Sequence, residues 1–82
     1  MAEAIEAVAV GDARTSRVIG RGLDELDLPE SANVVGVVRG EKLLIAHHDV
    51  IVEPNDHLIV FLLDKHDLAK VEAAFRAGAT WL

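Results

Sequence analysis

The sequence contains no cysteine, so it can form neither a disulfide framework nor a thiolate site for a metal or for catalysis. Aromatic residues make up only 4% of the chain, and valine, leucine, isoleucine and alanine supply most of its 51% hydrophobic content. The longest apolar run, residues 58–63, is far shorter than the roughly 20 residues that a membrane-spanning helix requires. The first residues lack the positive charge of a signal peptide. Direct insertion into a membrane is therefore not expected.

Positive charge is also scarce, with 8 Lys and Arg against 14 Asp and Glu and a net charge of −6. Binding to a nucleic-acid backbone needs clustered Lys and Arg, so a nucleic-acid partner is not expected. Arg14, Arg17 and Arg21 do lie close together in the sequence, but acids at residues 24–27 follow them at once. We interpret this stretch as a solvated face.

The length of 82 residues predicts one domain, residues 1–82, with a core over about residues 4–76. So small a domain cannot bury all of this apolar side-chain mass, and the excess favours a homodimer interface over a hydrophobic monomer. Strand-like sequence begins almost at the first residue, so we expect a fragment of a longer protein. A short natural reading frame is the alternative.

Apolar and polar positions alternate in residues 3–10, which predicts a first strand. A helix is predicted next, because Thr15 or Ser16 can cap it and apolar side chains then recur at helical spacing. Pro29 ends this helix, since the residue before a proline is driven out of the α region. Two internal glycines each weaken the helix by about 1 kcal/mol relative to alanine, which indicates close packing or an interruption.

The rest of the chain alternates between extended segments and turns before a last helix. Four extended segments are predicted at residues 34–39, 42–47, 50–52 and 57–63, the first two as a hairpin. Asp64 can cap the last helix, and Gly78 is its predicted C-cap. The element order is βαβββα. It predicts an α+β fold in which helices pack on a mostly antiparallel sheet.

No arrangement of residues in the sequence indicates an enzyme or a metal site. His47 and His48 are adjacent, so on a strand they point to opposite faces, and the other two histidines lie in separate elements. Neither serine lies in a nucleophile-elbow motif. We expect no catalytic residues, no metal ligands and no cofactor. His47 and His48 could instead form a pH-sensitive or anion-contacting patch with Asp49.

Arg39 is the strongest candidate for a binding residue. It ends an apolar strand beside a glycine turn, where a rigidly held guanidinium can bind a carboxylate or phosphate through two parallel hydrogen bonds. The alternative is a structural ion pair with a local acid such as Glu41 or Asp49.

Three stretches, in this order, resemble the TrkA-C (RCK C-terminal) domain family. They read SRVIGRGLDELDLP at residues 16–29, VVGVVR at 34–39 and DHLIVF at 56–61. The ending DKHDLAKVEAAF at residues 64–75 brings the sequence closest to the branch that serves bacterial Trk potassium uptake. The resemblance covers about residues 4–75, and its specificity lies in the order and spacing of the motifs.

The resemblance implies a cytoplasmic regulatory and ligand-sensing module that dimerises and modulates potassium transport. Its membrane partner would be a potassium-translocating subunit, which keeps the protein peripheral to the inner membrane. A purely structural dimerisation domain without a ligand is the alternative. Family members carry a separate nucleotide-binding Rossmann domain that these residues do not contain, so NAD or ATP binding is not carried over.

The resemblance also suggests where an effector would bind. Some relatives in other bacteria bind cyclic di-AMP at the dimer interface, using apolar residues with Asn, Arg and His. Asn33 and Arg39 fall near suitable positions. We therefore expect these two residues to contact a small anionic effector.

Overall fold

Five antiparallel strands form one sheet in the computed structural model of the chain, which describes residues 2–82. The strands are β1 (Glu3–Val8), β2 (Ala32–Arg39), β3 (Lys42–Ile45), β4 (His57–Leu62) and β5 (Ala79–Trp81), in the spatial order β3-β2-β4-β1-β5. One helix, α1 (Leu68–Phe75), packs on the sheet, and single 3-10 turns lie at Leu23–Glu25 and Lys65–Asp67. The predicted α+β class with an antiparallel sheet is confirmed.

The core lies on one face of this sheet. Alternate side chains of the strands point to that face, and α1 and the long β1–β2 connection cover it. The most completely buried side chains are those of Ile5, Leu58, Val60, Leu62, Val37, Val71 and Phe75. The helix α1 and the turn Leu23–Glu25 therefore lie on the same side of the sheet as these residues, and no helix among residues 2–82 covers the opposite face.

The predicted helix at about residues 16–28 is wrong. Between β1 and β2 the structure has only the 3-10 turn Leu23–Glu25. Gly20 has φ +87°, a left-handed conformation through which a right-handed helix cannot continue. The backbone bonds instead to the segment after β3: Gly20 N–H donates to the Val52 carbonyl at 2.8 Å, and Leu23 N–H to the Val50 carbonyl at 3.1 Å. The extended piece predicted at residues 50–52 supplies this pairing.

The apolar side chains that suggested that helix are nevertheless buried. Val18 and Ile19 are 1% and 6% exposed and belong to the core. Ser16 Oγ accepts hydrogen bonds from the backbone N–H groups of both residues, so it caps a local turn and not the predicted helix. A non-local backbone pairing takes the place of that helix.

The last helix is present, but it begins later and ends earlier than predicted. Asp64 caps the 3-10 turn Lys65–Asp67 by accepting a hydrogen bond from the backbone N–H of His66, and α1 begins after this turn with Asp67 at its N-cap position. The helix stops at Phe75 because Arg76 adopts the left-handed conformation with φ 55°, so the predicted C-cap at Gly78 is wrong. The chain then turns into β5, an unpredicted edge strand that pairs with β1.

The two phenylalanines of the chain test the one-sided core. Phe75 is 1% exposed under the sheet, whereas Phe61 is 46% exposed on the opposite face. Phe75→Ala should lower the free energy of unfolding by about 3–5 kcal/mol, the usual cost of emptying a buried phenylalanine site. At protein concentrations where the chain is monomeric, the matched control Phe61→Ala should cost less than about 1 kcal/mol. Urea unfolding at low temperature measures both, and equal losses would contradict a one-sided core.

Candidate functional site

The uncovered face of the sheet exposes several large apolar side chains. Strand alternation places on it the side chains that point away from the core. Leu43, Ile45 and Phe61 are 65%, 67% and 46% exposed. We call this surface the open sheet face; on it lie Ala4, Glu6, Val8, Asn33, Val38, Leu43, Ile45, His57, Ile59, Phe61 and Thr80.

Charge on the open sheet face is confined to one contact. His57 Nδ1 contacts Glu6 Oε1 between β1 and β4, with the two side chains 44% and 31% exposed. The other members of the face are uncharged, and all of them except Asn33 and Thr80 are aliphatic or aromatic. Contiguous apolar surface of this kind on a small domain marks an interaction site more often than a solvated one.

Four of the five N–H donors of the Arg39 guanidinium are used by the protein itself. Nε and Nη2 donate to the two carboxylate oxygens of Asp56 at 2.9 and 2.8 Å. Nη2 also donates to the Ile51 carbonyl at 2.8 Å, and Nη1 pairs with Glu53 Oε2 at 2.8 Å. The structural ion pair considered for Arg39 is therefore present, but its acids are Asp56 and Glu53 rather than Glu41 or Asp49.

Burial and pairing act in opposite directions on Asp56, whose side chain is 1% exposed. Burial is the strongest single influence and by itself raises the pKa of the carboxyl. The hydrogen bonds from Arg39 and from the Glu53 N–H, together with the charge of Arg39, outweigh burial, so the pKa of Asp56 lies below its ordinary value. The hydrogen bond to Asp56 likewise raises the pKa of Arg39. The pair is charged throughout the physiological range.

Asn33 lies in a different place, in a groove of about 440 Å³ along the free edge of β2. The edge is free there because β3 pairs only with the second half of β2, from Gly36 onward. Asp24, Glu30, His47 and His48 also line this Asn33 groove. The two adjacent histidines are thus brought to the same groove as Asn33, a juxtaposition that the sequence did not indicate.

Asn33 and Arg39 do not form one site. They are six residues apart on β2, which corresponds to about 20 Å along an extended strand. Arg39 lies beside the Asp56 turn and does not line the Asn33 groove. A role for either residue in effector binding stays a prediction, and the contacts of Arg39 favour its structural alternative.

A second groove, of about 350 Å³, lies between the β1–β2 connection and α1. We call it the Arg17 groove; it is lined by Arg17, Val18, Asp27, Leu28, Pro29, Lys70, Ala73 and Ala74. The sequence pattern around Arg17 predicts only a solvated face. Its proximity to Lys70 depends on how α1 packs, so no local sequence signal could have paired the two cations.

Two kinds of site are not found among residues 2–82. No group of three or more His, Cys, Asp or Glu side chains is placed to hold a metal ion. No helix in the described part of the chain is long and apolar enough to cross a membrane.

Removing Arg39 should destabilise the fold. Arg39→Ala leaves the buried Asp56 carboxylate without its partner, and we expect the free energy of unfolding to fall by about 3 kcal/mol. Glu53→Gln is the control: it removes an exposed partner of the same guanidinium and should cost less than about 1 kcal/mol. Chemical denaturation of wild type, Arg39→Ala and Glu53→Gln measures the two losses in free energy of unfolding. A small loss for Arg39→Ala would favour the ligand role over the structural one.

The stabilising effect of Asp56 should disappear in acid. Because the folded-state pKa is lowered, ionised Asp56 adds stability above its unfolded-state pKa of about 4, and this stability is lost as the pH falls through the lower folded-state pKa. The difference in free energy of unfolding between wild type and Asp56→Asn should be constant from about pH 7 to pH 5 and narrow below about pH 4. A difference that widens in acid would contradict the lowered pKa.

Comparison with known proteins identifies the family. A family model described as the TrkA-C domain matches residues 7–76. "Trk system potassium uptake protein TrkA" of Halomonas elongata is 49% identical over 80 residues, which cover 98% of this chain and 18% of that protein. The protein of the same name from Vibrio alginolyticus is 44% identical over 81 residues, covering 99% of this chain and 18% of that protein.

A more distant relative extends the similarity to an archaeon. "Trk system potassium uptake protein TrkA homolog" of Archaeoglobus fulgidus is 36% identical over 74 residues, or 88% of this chain and 17% of that protein. The chain thus spans less than a fifth of the length of these relatives. With the family model matching most of its length, the chain belongs to the TrkA-C domain family.

Proposed function

We propose that this chain is a cytoplasmic regulatory module of a Trk-type potassium uptake system and that it joins two copies through the open sheet face. The observation that carries the proposal is an uncovered apolar sheet face in a chain similar to proteins named for potassium uptake. The module acts on transport through a membrane-embedded potassium-translocating subunit and does not itself enter the bilayer.

The size of the open sheet face suits a second copy. Five strands about 4.8 Å apart and between five and six residues long on average give a face of about 24 by 18 Å. Two copies in contact would cover about 860 Å² in projection, close to the area of about 1,000 Å² at which a specific interface becomes plausible. The exposed Leu43, Ile45 and Phe61 supply large apolar side chains of the kind that such interfaces bury.

The distribution of charge favours the same surface. Each copy carries a net charge of −6, so two copies repel unless they meet where charge is low. On the open sheet face the acid Glu6 is in contact with His57, and the remaining members are uncharged. An edge-to-edge dimer is less favoured, because the edge strands β3 and β5 have only four and three residues.

Regulation requires that an effector bind two arrangements of the module with different affinity. We expect a small anionic effector, as the family resemblance implies. Asn33 lines a groove of suitable size, whereas four of the five donors of Arg39 are already used. The alternative is a purely structural dimerisation domain, which would form the same dimer and bind no small molecule.

Dimer formation should depend on the open sheet face. Ile45→Asp places a charge on that face and should shift the protein to monomer, because the carboxylate would be desolvated at the interface. Ile51→Asp is the matched control, since Ile51 is also exposed, at 48%, but lies in the segment that pairs with Gly22, outside the sheet.

Sedimentation velocity over a range of protein concentrations measures the effect. Wild type and Ile51→Asp should show concentration-dependent dimers, and Ile45→Asp should sediment as a folded monomer. If wild type is monomeric at every concentration, or if Ile45→Asp dimerises as well as wild type, the open sheet face is not the interface.

A further inference from the structure

We infer that the Arg17 groove is the binding site for a small organic anion, one with a phosphate or carboxylate group attached to an apolar body. The inference deepens the proposed function and rests on it for the existence of an effector. It places that effector between the β1–β2 connection and α1, away from both Asn33 and Arg39.

The other two candidate positions are poorly suited to an anion. Four of the five N–H donors of the Arg39 guanidinium are used by Asp56, Glu53 and the Ile51 carbonyl, so an anion that bound through two parallel hydrogen bonds would have to displace one of these partners. The Asn33 groove has Asp24 and Glu30 in its lining and neither Lys nor Arg. Carboxylates without a neighbouring cation repel an anionic ligand.

The Arg17 groove instead brings two cations together in an acidic domain. Arg17 is exposed and forms no ion pair within residues 2–82. Lys70 pairs with Asp67 at 3.4 Å, but its side chain is 71% exposed, and ion pairs of this kind are worth little in water. Asp67 is in addition held by Ser31 Oγ at 2.8 Å, so it keeps a partner when Lys70 turns to a ligand. Both cations are therefore available to an incoming anion.

The remainder of the lining indicates an organic anion rather than a bare inorganic one. Val18, Leu28, Pro29 and the two alanines of α1 provide apolar contacts. Asp27 is the one acid of the lining and can accept a hydrogen bond from a hydroxyl or amino group. A volume of about 350 Å³ lies at the small end of known ligand sites. A guanidinium fork matches phosphate and carboxylate geometry through two parallel hydrogen bonds.

The Arg17 groove lies on the helical side of the sheet, whereas the open sheet face is on the other side. Val18 and α1 both pack against the buried face. Ligand binding therefore does not require the dimer, and the two properties can be tested independently. A ligand there would bridge α1 and the β1–β2 connection, two elements that contact each other through the core.

Backbone amide chemical shifts from NMR titration of the 82-residue chain test the site. Phenyl phosphate is the probe, inorganic phosphate controls for charge alone, and benzyl alcohol controls for the apolar ring alone. We expect saturable shifts with phenyl phosphate at residues 17–18, 27–29 and 70–74, and weaker binding of both controls.

Arg17→Ala and Lys70→Ala should each weaken phenyl phosphate binding by about tenfold, the effect of one charge-assisted hydrogen bond. Arg21→Ala, an exposed arginine of the same connection outside the groove, should leave binding unchanged.

Each other result would overturn the inference in a distinguishable way. Saturable shifts confined to the Asn33 groove would show that an effector site exists elsewhere, which leaves the proposed function standing. No saturable shift at any residue would remove both the Arg17 groove and the effector part of the proposed function, while the dimer is judged separately by sedimentation. If Arg17→Ala, Lys70→Ala and wild type bound phenyl phosphate with equal affinity, the two cations would not form the site.

Discussion

One buried carboxylate, that of Asp56, holds together the ends of three strands. Its oxygens accept hydrogen bonds from Arg39, the last residue of β2, and from the Glu53 N–H in the turn before β4. The backbone carbonyl of Asp56 accepts a hydrogen bond from the Ala9 N–H just after β1. The N–H of the neighbouring Asn55 donates to the Ala9 carbonyl. A buried charge is tolerated only when it is paired and fully hydrogen-bonded, so this turn, with Asn55 at φ 69°, fixes how β1, β2 and β4 meet.

These contacts align a sheet that is covered on one side only. Because of this asymmetry, the surface proposed for dimer contact and the groove proposed for ligand binding lie on opposite sides of the sheet. The helical side carries the core and the Arg17 groove, where cations and apolar side chains meet. The other side carries the open sheet face, which is apolar and nearly free of charge. A regulatory module needs both a surface that holds an assembly and a site that a ligand can reach, and here the two do not compete for the same residues.

The sequence predicted the four longest strands and the last helix, because alternation, capping at Asp64 and turn residues are local signals. It failed where a non-local contact decides the structure. The segment around Gly20 has the apolar spacing of a helix, yet it pairs with Val52. Arg39 was recognised as a held guanidinium, but its partner Asp56 is 17 positions away and becomes adjacent only when β2 pairs with β4. Arg17 and Lys70 are brought together in the same way, by the packing of α1.

The central claim is that the open sheet face holds a second copy of the chain. Intermolecular nuclear Overhauser effects in a mixed sample, with one copy carrying ¹³C and the other unlabelled, test it most directly. The account predicts contacts between the Phe61 ring of one copy and the methyl groups of Leu43, Ile45 or Ile59 of the other, and none to the alanines of α1. Intermolecular contacts that map to α1 and leave the open sheet face without any would contradict it.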